Sequence, residues 1–359
     1  MALDHYVTLG RSGLRVSPLC LGTMTFGEEW GWGCTPEESR RIMDMYMDHG
    51  GNFFDTANIY TKGHSEKIVG EHLGASSARR DRAVIATKFM GSMRRGDPNS
   101  GGAGRKAIVS QLEQSLRRMK TDHVDLYWMH CQDRFTPLQE TLRALDDLVR
   151  DGKVRYIGVS NAPAWQVARS QTLAELKGWT PFVGLQVEYS LLARDVEGAL
   201  IPMATEMGLG VTPWSPLKGG LLSGKFTRDN AKLSDRGDWT NAGLTDHAYD
   251  VIDMLIESAA KVESTPAQVA LSWVCGRPGV ASTIIGARSG EQLADNIAAA
   301  SLTLPGDVTK ALTKATKPKL PYPHGFLKGM TAFYGNGAHI DGVSTTVFPP
   351  SPEREDDQH

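Results

Sequence analysis

No run of about 18 consecutive apolar residues occurs in this chain of 359 residues, so no membrane-spanning helix is expected. The four cysteines, Cys20, Cys34, Cys131 and Cys275, form no Cys-x-x-Cys pair and no framework spacing. That fits a reducing compartment and a cytoplasmic protein. There is no basic stripe and the net charge is −2, so neither nucleic acid nor an anionic membrane is an expected partner. The opening MALDHYVTLGRSG lacks the charged-then-apolar pattern of a signal peptide. Neither HExxH nor a Cys/His ligand spacing occurs, so no metal site is expected. No GxGxxG follows an apolar run, which argues against a Rossmann dinucleotide site.

What is present is alternation. Eight short apolar runs stand at 16–23, 51–57, 83–89, 124–130, 154–161, 182–190, 210–216 and 282–288, each followed by a helical pattern. In one such helix Val109, Leu112, Leu116 and Met119 share a face; in the next Leu138, Leu142, Leu145 and Val149 do, with Pro137 at its start and Gly152 past its end. Strands apolar on both faces and joined by helices require parallel pairing through right-handed crossovers. Eight units are the count for a closed (β/α)₈ TIM barrel, the fold class expected here. The long gap from 217 to 281 must carry an insertion, with an extra helix around AYDVIDMLIESAAKVE. Before the first strand, YVTLGRSGLRV reads as a β-hairpin closing the barrel's bottom. Periodicity fades from Pro305 onward. The expected division is a barrel domain over 1–316 and an irregular tail over 317–359, placed at the mouth and disordered at its PPSPEREDDQH end.

In a barrel, side chains at the carboxyl ends of strands converge on one mouth. Those positions hold Asp55 and Tyr60 after the second strand, Lys88 at the end of the third and His130 at the end of the fourth. Taken singly each has a duller reading: a turn residue, a packing aromatic, a surface cation, a core histidine. Together they have one use. A phenol is a poor acid unless its anion is stabilised; an ammonium does that, and a carboxylate holds the ammonium charged and oriented. An imidazole can then hydrogen-bond a substrate oxygen, giving a proton donor to a carbonyl whose carbon receives a hydride. Cys131 next to His130 offers no dyad, because adjacent strand residues point opposite ways. Other strand ends supply Ser160, Asn161 and Gln186, which could pin a carboxamide, although Asn161 could equally cap the helix that follows. Trp214 offers a flat face for a stacked ring. A glycine turn with Arg288 and a helix start after it make a phosphate subsite.

The motifs LCLGTMTFG, FFDTANIYTKGHSEKIVGEHL, IATKF, VDLYWMH, GKVRYIGVSN, LQVEYSLL, TPWSPLKGGLLSGKF and GARSGEQLADN, in this order, resemble those of the aldo-keto reductases, NADPH-dependent carbonyl reductases built on a (β/α)₈ barrel. The resemblance runs from about residue 6 to 300. It implies a catalytic tetrad of Asp55, Tyr60, Lys88 and His130, with Tyr60 as the acid. It implies NADPH as cofactor: Gly22, Thr23, Met24 and Asp55 beside it, Ser160, Asn161 and Gln186 on the nicotinamide amide, and Trp214 stacked on the ring. Ser215, Pro216, Leu217, Gly219, Leu221, Gly224 and Lys225 would wrap the pyrophosphate, and Gly286, Arg288, Gln292 and Asn296 the adenosine end. Trp214 departs from the Tyr or Phe often found at the stacking position. The tail matches only weakly, through PYPHGF.

The expected substrate is a small carbonyl compound. Trp30, Trp32, Phe89 and Met90, with Tyr60 and His130, are its expected contacts, and the aromatics favour an apolar or ring-bearing compound. Two rival readings stay open: a non-catalytic cofactor-binding subunit on the same barrel, and a lyase using Lys88 as a Schiff base. The oligomeric state and the direction of the reaction are not readable from the sequence.

Overall fold

A computed structural model describes residues 3–74, 76–229 and 243–354. Eight parallel strands form one sheet: β3 (Leu19–Gly22), β4 (Phe53–Asp55), β5 (Val84–Phe89), β6 (Val124–Met129), β7 (Val154–Ser160), β8 (Phe182–Glu188), β9 (Gly210–Trp214) and β10 (Thr283–Gly286). They pair in chain order, and β10 pairs back onto β3. Between β9 and β10 a parallel bridge joins Val211 to Val280, so the sheet nearly closes. This is the expected (β/α)₈ barrel.

The alternation of each strand divides its side chains between two apolar cores. One lies outside the sheet, where the helix faces pack: Leu112, Leu116 and Met119 of the helix Arg105–Met119, and Leu138, Leu142 and Leu145 of Leu138–Arg150, are buried there. The other fills the barrel and includes Cys20, Phe53, Ala86, Leu126 and Trp128. Trp128 is the largest of these, and its indole occupies the space a Cβ would need at Gly158 and Gly184, 2.3 Å and 2.8 Å away respectively. Truncation of a buried tryptophan typically costs about 3–5 kcal/mol.

The hairpin of β1 (Val7–Thr8) and β2 (Arg15–Val16) closes the bottom, with Leu9 and Val16 joining the inner core. Gly10 in its turn has φ +60°, and a Cβ there would stand 2.4 Å from the Val183 carbonyl oxygen. Only glycine meets both demands.

The insertion carries the expected helix, Asp246–Lys261, followed by Pro266–Cys275, which opens on a capping box at Thr265. The chain divides into two compact units, Met1–Lys317 and Pro318–His359. Beyond Pro305 the sequence reading needs correction. Gly306–Ala315 is a helix burying Val308 and Leu312, and His324–Gly335 is another, followed by a small hairpin, β11 (His339–Ile340) with β12 (Val343–Ser344). Pro305 precedes the first helix and Pro323 the second, so the prolines mark helix starts instead of irregular chain. Pro349–Arg354 form turns and bends, while the rest of the end expected to be disordered lies outside the described residues. Among the described residues no helix is long and apolar enough to cross a membrane.

Candidate active site

Asp55 ends β4 and Lys88 lies next to the end of β5; these strands pair directly, so both side chains rise on the inner face toward the mouth. Lys88 is fully buried. Its ammonium donates to the Asp55 carboxylate, to the Thr56 carbonyl oxygen at 2.9 Å and to the Tyr60 hydroxyl at 3.1 Å. The other Asp55 oxygen accepts from the Gln186 side-chain amide at 3.0 Å. A carboxylate can only accept, so this contact fixes which end of the Gln186 amide faces it. The His130 ring stands edge-on to that of Tyr60, with centroids 6.0 Å apart. The four expected residues therefore meet around one phenol.

Burial is the largest influence on Lys88, Tyr60 and His130, and the charges modify it. Lys88 is held above its ordinary value: burial would lower it, but Asp55 and then Tyr60 favour the ammonium. The Tyr60 phenol is pushed up by burial; Lys88 pulls it down without prevailing, and Asp55 adds to the rise. Lys88 acts on Tyr60 in the expected direction, and burial outweighs it. Tyr60 is thus a phenol that keeps its proton and has a cation ready for the anion it would become. His130 is pushed down to about 3, first by burial and then by the Lys88 charge, so its ring is neutral at ordinary pH.

A cavity of about 1150 Å³ opens above this group and runs from Trp30, Ile59, Tyr60 and His130 past Trp214 to Arg288. That volume exceeds a typical small-ligand pocket of roughly 300–1,000 Å³. Asn161 fixes the Trp214 indole by accepting from its Nε1 at 3.2 Å, and donates to the His130 carbonyl oxygen and the Ser160 hydroxyl, each at 2.9 Å. It does not cap a helix, since the next one begins at Ala164. After Trp214 the backbone turns left-handed at Ser215, Lys218, Gly219, Gly220 and Gly224, and the loop holds itself: Lys218 N–H donates to the Ser215 carbonyl oxygen, Gly219 N–H to the Ser215 hydroxyl and Gly220 N–H to the Leu217 carbonyl oxygen. Gly220 and Gly286 line the cavity with open space where a Cβ would stand.

Of the expected cofactor contacts, Gly22, Met24, Asp55, Asn161, Gln186, Trp214, Ser215, Pro216, Leu217, Gly219, Gly224, Lys225, Gly286, Arg288, Gln292 and Asn296 line this cavity. Thr23, Ser160 and Leu221 are fully buried and do not reach its wall. Of the expected substrate contacts, Trp30, Tyr60 and His130 line it. Trp32 packs on Trp30 instead, with centroids 5.6 Å apart, and Met90 packs against the outer core. Phe89 needs correction: it follows Lys88 in β5, so it points the opposite way and is buried against Tyr127 in the outer core. The helix Gly290–Ala298 was expected to offer free amides, but Gly290 N–H donates to Glu38 and Gln292 N–H to Ser289. The Arg288 side chain lines the cavity and can meet an anion there.

Sequence reasoning missed Asp295, which lines the cavity and accepts from Thr265 and Gln268. Its place three residues after Gln292, on one helical face, was the available signal.

The family model for "Aldo/keto reductase family" matches residues 18–317. An uncharacterized oxidoreductase, YrpG, of Bacillus subtilis is 40% identical over 320 residues, covering 86% of this chain and 94% of that protein. An aryl-alcohol dehydrogenase of Pestalotiopsis microspora is 34% identical over 331 residues, 90% of this chain and 85% of its own. A probable voltage-gated potassium channel subunit beta of Oryza sativa is 34% identical over 304 residues, 82% of this chain and 90% of its own.

Proposed function

The chain belongs to the aldo/keto reductase family and is thus an oxidoreductase of carbonyl and alcohol groups, and from that premise we propose that it reduces an aldehyde or ketone with NADPH, Tyr60 serving as the acid. The observation that carries this reading is the Lys88 ammonium, which bonds Asp55 and Tyr60 at once at the floor of the cavity.

A dinucleotide fits the residues present. The cavity has room for it beside a substrate, and Gly220 and Gly286 leave open space at its wall. Trp214 offers an indole face held by Asn161, the loop from Ser215 to Lys225 lines the wall beyond it, and Arg288 offers a guanidinium. NADPH, when bound, supplies the hydride. Everything else falls to the chain's own groups. Tyr60 hands its proton to the carbonyl oxygen, and Lys88 stabilises the phenolate left behind. Asp55, held by Gln186, keeps Lys88 oriented. A neutral His130 hydrogen-bonds the substrate oxygen without adding a second charge. Trp30 supports a ring-bearing substrate, as does the name of the aryl-alcohol relative. The four described cysteines are all free, which fits the reducing cytoplasm.

The test is NADPH oxidation with a panel of aldehydes, ketones and sugars, run on the parent and on Tyr60→Phe. Turnover in the parent and a loss of ~100-fold or more in the variant is the expected pattern. Cofactor binding with no turnover on any carbonyl would favour the non-catalytic subunit instead. Cofactor choice is tested separately. Arg288 can meet the extra phosphate of NADPH through two parallel bonds, so Arg288→Ala should weaken NADPH binding roughly 10- to 100-fold and leave NADH nearly unchanged. Equal losses for both cofactors would place Arg288 away from that phosphate.

A further inference from the structure

The turn after Tyr60 is strained and docked. Thr61 and Lys62 have φ of 45° and 57°, both left-handed, and Gly63 follows at 91°. Two consecutive non-glycine residues in that region are costly and persist only where their surroundings hold them. Here the surroundings are the loop between β3 and the helix Pro36–Asp48. Thr61 Oγ1 donates to the Phe26 carbonyl oxygen at 2.8 Å and accepts from Ser65 N–H at 2.9 Å. His64, the first residue of the helix His64–Leu73, bonds the Glu29 carboxylate through Nδ1.

Glu29 belongs to a small lobe. Its neck is closed by Gly27 N–H donating to the Cys34 carbonyl oxygen at 3.0 Å and Cys34 N–H to that of Thr25 at 2.8 Å. The lobe carries Trp30 into the cavity, edge-on to the Tyr60 ring with centroids 6.3 Å apart, and Trp32 packs behind it. The residue that presents the wall and the residue that presents the acid are therefore tied together by a contact involving neither. Glu29 and His64 keep about a third of their side-chain surface exposed, so their pair is a modest latch and no part of the core.

We propose that the Glu29–His64 pair is a positioning device for the substrate wall: it holds Trp30 over Tyr60, so that ring-bearing carbonyl compounds are favoured over short-chain ones. This rests on the carbonyl-reductase reading for its substrate class. A flat ring gains from an indole held at one place, because contact is lost within a fraction of an ångström of displacement. A three-carbon aldehyde does not reach that wall and is indifferent to it.

The experiment compares the parent with His64→Ala and His64→Asn, the latter keeping an N–H donor near the place of Nδ1. KM for 2-naphthaldehyde, KM for propanal and kcat are measured, together with amide hydrogen exchange over residues 27–33 in the ligand-free protein. In His64→Ala, KM for naphthaldehyde should rise about fivefold, with KM for propanal and kcat within about twofold, the scale set by losing one partly exposed pair. Exchange in the lobe should quicken, and His64→Asn should restore both. A rise in both KM values together, or unchanged exchange, overturns the latch. If the parent turns over neither aldehyde, the carbonyl-reductase reading falls. Amide exchange then decides the latch alone: quickened and rescued by His64→Asn, it stands, and unchanged, it falls.

Discussion

Two ion pairs, each with a buried carboxylate, flank β5. On its inner face Lys88 meets Asp55; on its outer face the neighbouring Thr87 donates to Glu66 at 2.5 Å, and Glu66 also accepts from Arg118 Nε at 2.6 Å. Both carboxylates are buried; Asp55 ends β4, and Glu66 lies in the helix His64–Leu73 that follows it. Their surroundings differ. The outer pair sits in the packed layer between the helices His64–Leu73 and Arg105–Met119, with every partner a fixed one. The inner pair stands below a cavity and shares its cation with a phenol that can lose a proton. The same electrostatic unit is a clamp when sealed and part of an acid when one partner can change charge.

The sharpest way to break this comparison is to remove the cation from each pair. Lys88→Met and Arg118→Met each strand a buried carboxylate, and each should lower unfolding free energy by about 3 kcal/mol or more in urea titrations. Asp55 would keep Gln186 and Glu66 would keep Thr87, so neither loss should be total. Only Lys88→Met should abolish turnover. Comparable loss of turnover in Arg118→Met would mean that the outer pair also shapes the acid. Tyr60→Phe separates the roles further: turnover should fall ~100-fold or more, while NADPH affinity and the unfolding midpoint barely move. Thr87→Val is the small outer counterpart. It removes one hydrogen bond to Glu66 with little change of shape and should cost about 1–2 kcal/mol with no kinetic effect.

How far the sequence disclosed this arrangement follows from the same alternation. The inner partners were legible because a carboxylate, a phenol, an ammonium and an imidazole at successive strand ends have few other reasons to be there. The outer pair was not legible, because Glu66 and Arg118 read as ordinary polar residues of amphipathic helices, and only packing brings them to Thr87. Phe89 was misplaced for want of the period-two rule that Lys88, beside it, obeys. The helices after Pro305 were hidden because Pro305 and Pro323, read as breakers, stand just before helix starts, and because Gly329 and Gly335 lie inside the second helix. The Glu29–His64 contact joins a loop to a helix start and has no periodicity to reveal it.

The smallest expected effect near neutral pH concerns His130, the inner group that faces the Lys88 charge without a carboxylate of its own. Its folded value lies near 3, against an ordinary value of 6.5, with burial the main cause and Lys88 the second. The sign follows from proton counting. Above pH 6.5 the ring is neutral in both folded and unfolded chains and contributes no slope. As pH falls from 6.5 toward 3, the unfolded chain takes up a proton that the folded chain refuses, so stability declines across that window. At pH 6 the decline should amount to less than about 1 kcal/mol, since His130 is only partly buried and solvent screens it. It should steepen as the pH approaches 4. Urea unfolding of the parent and of His130→Gln at pH 4, 5, 6 and 7 reads this directly. The variant should take up about one proton fewer on unfolding below pH 6. Identical pH slopes in the two proteins would mean that His130 titrates normally in the folded chain, and that the inner face tolerates a second positive charge beside Lys88.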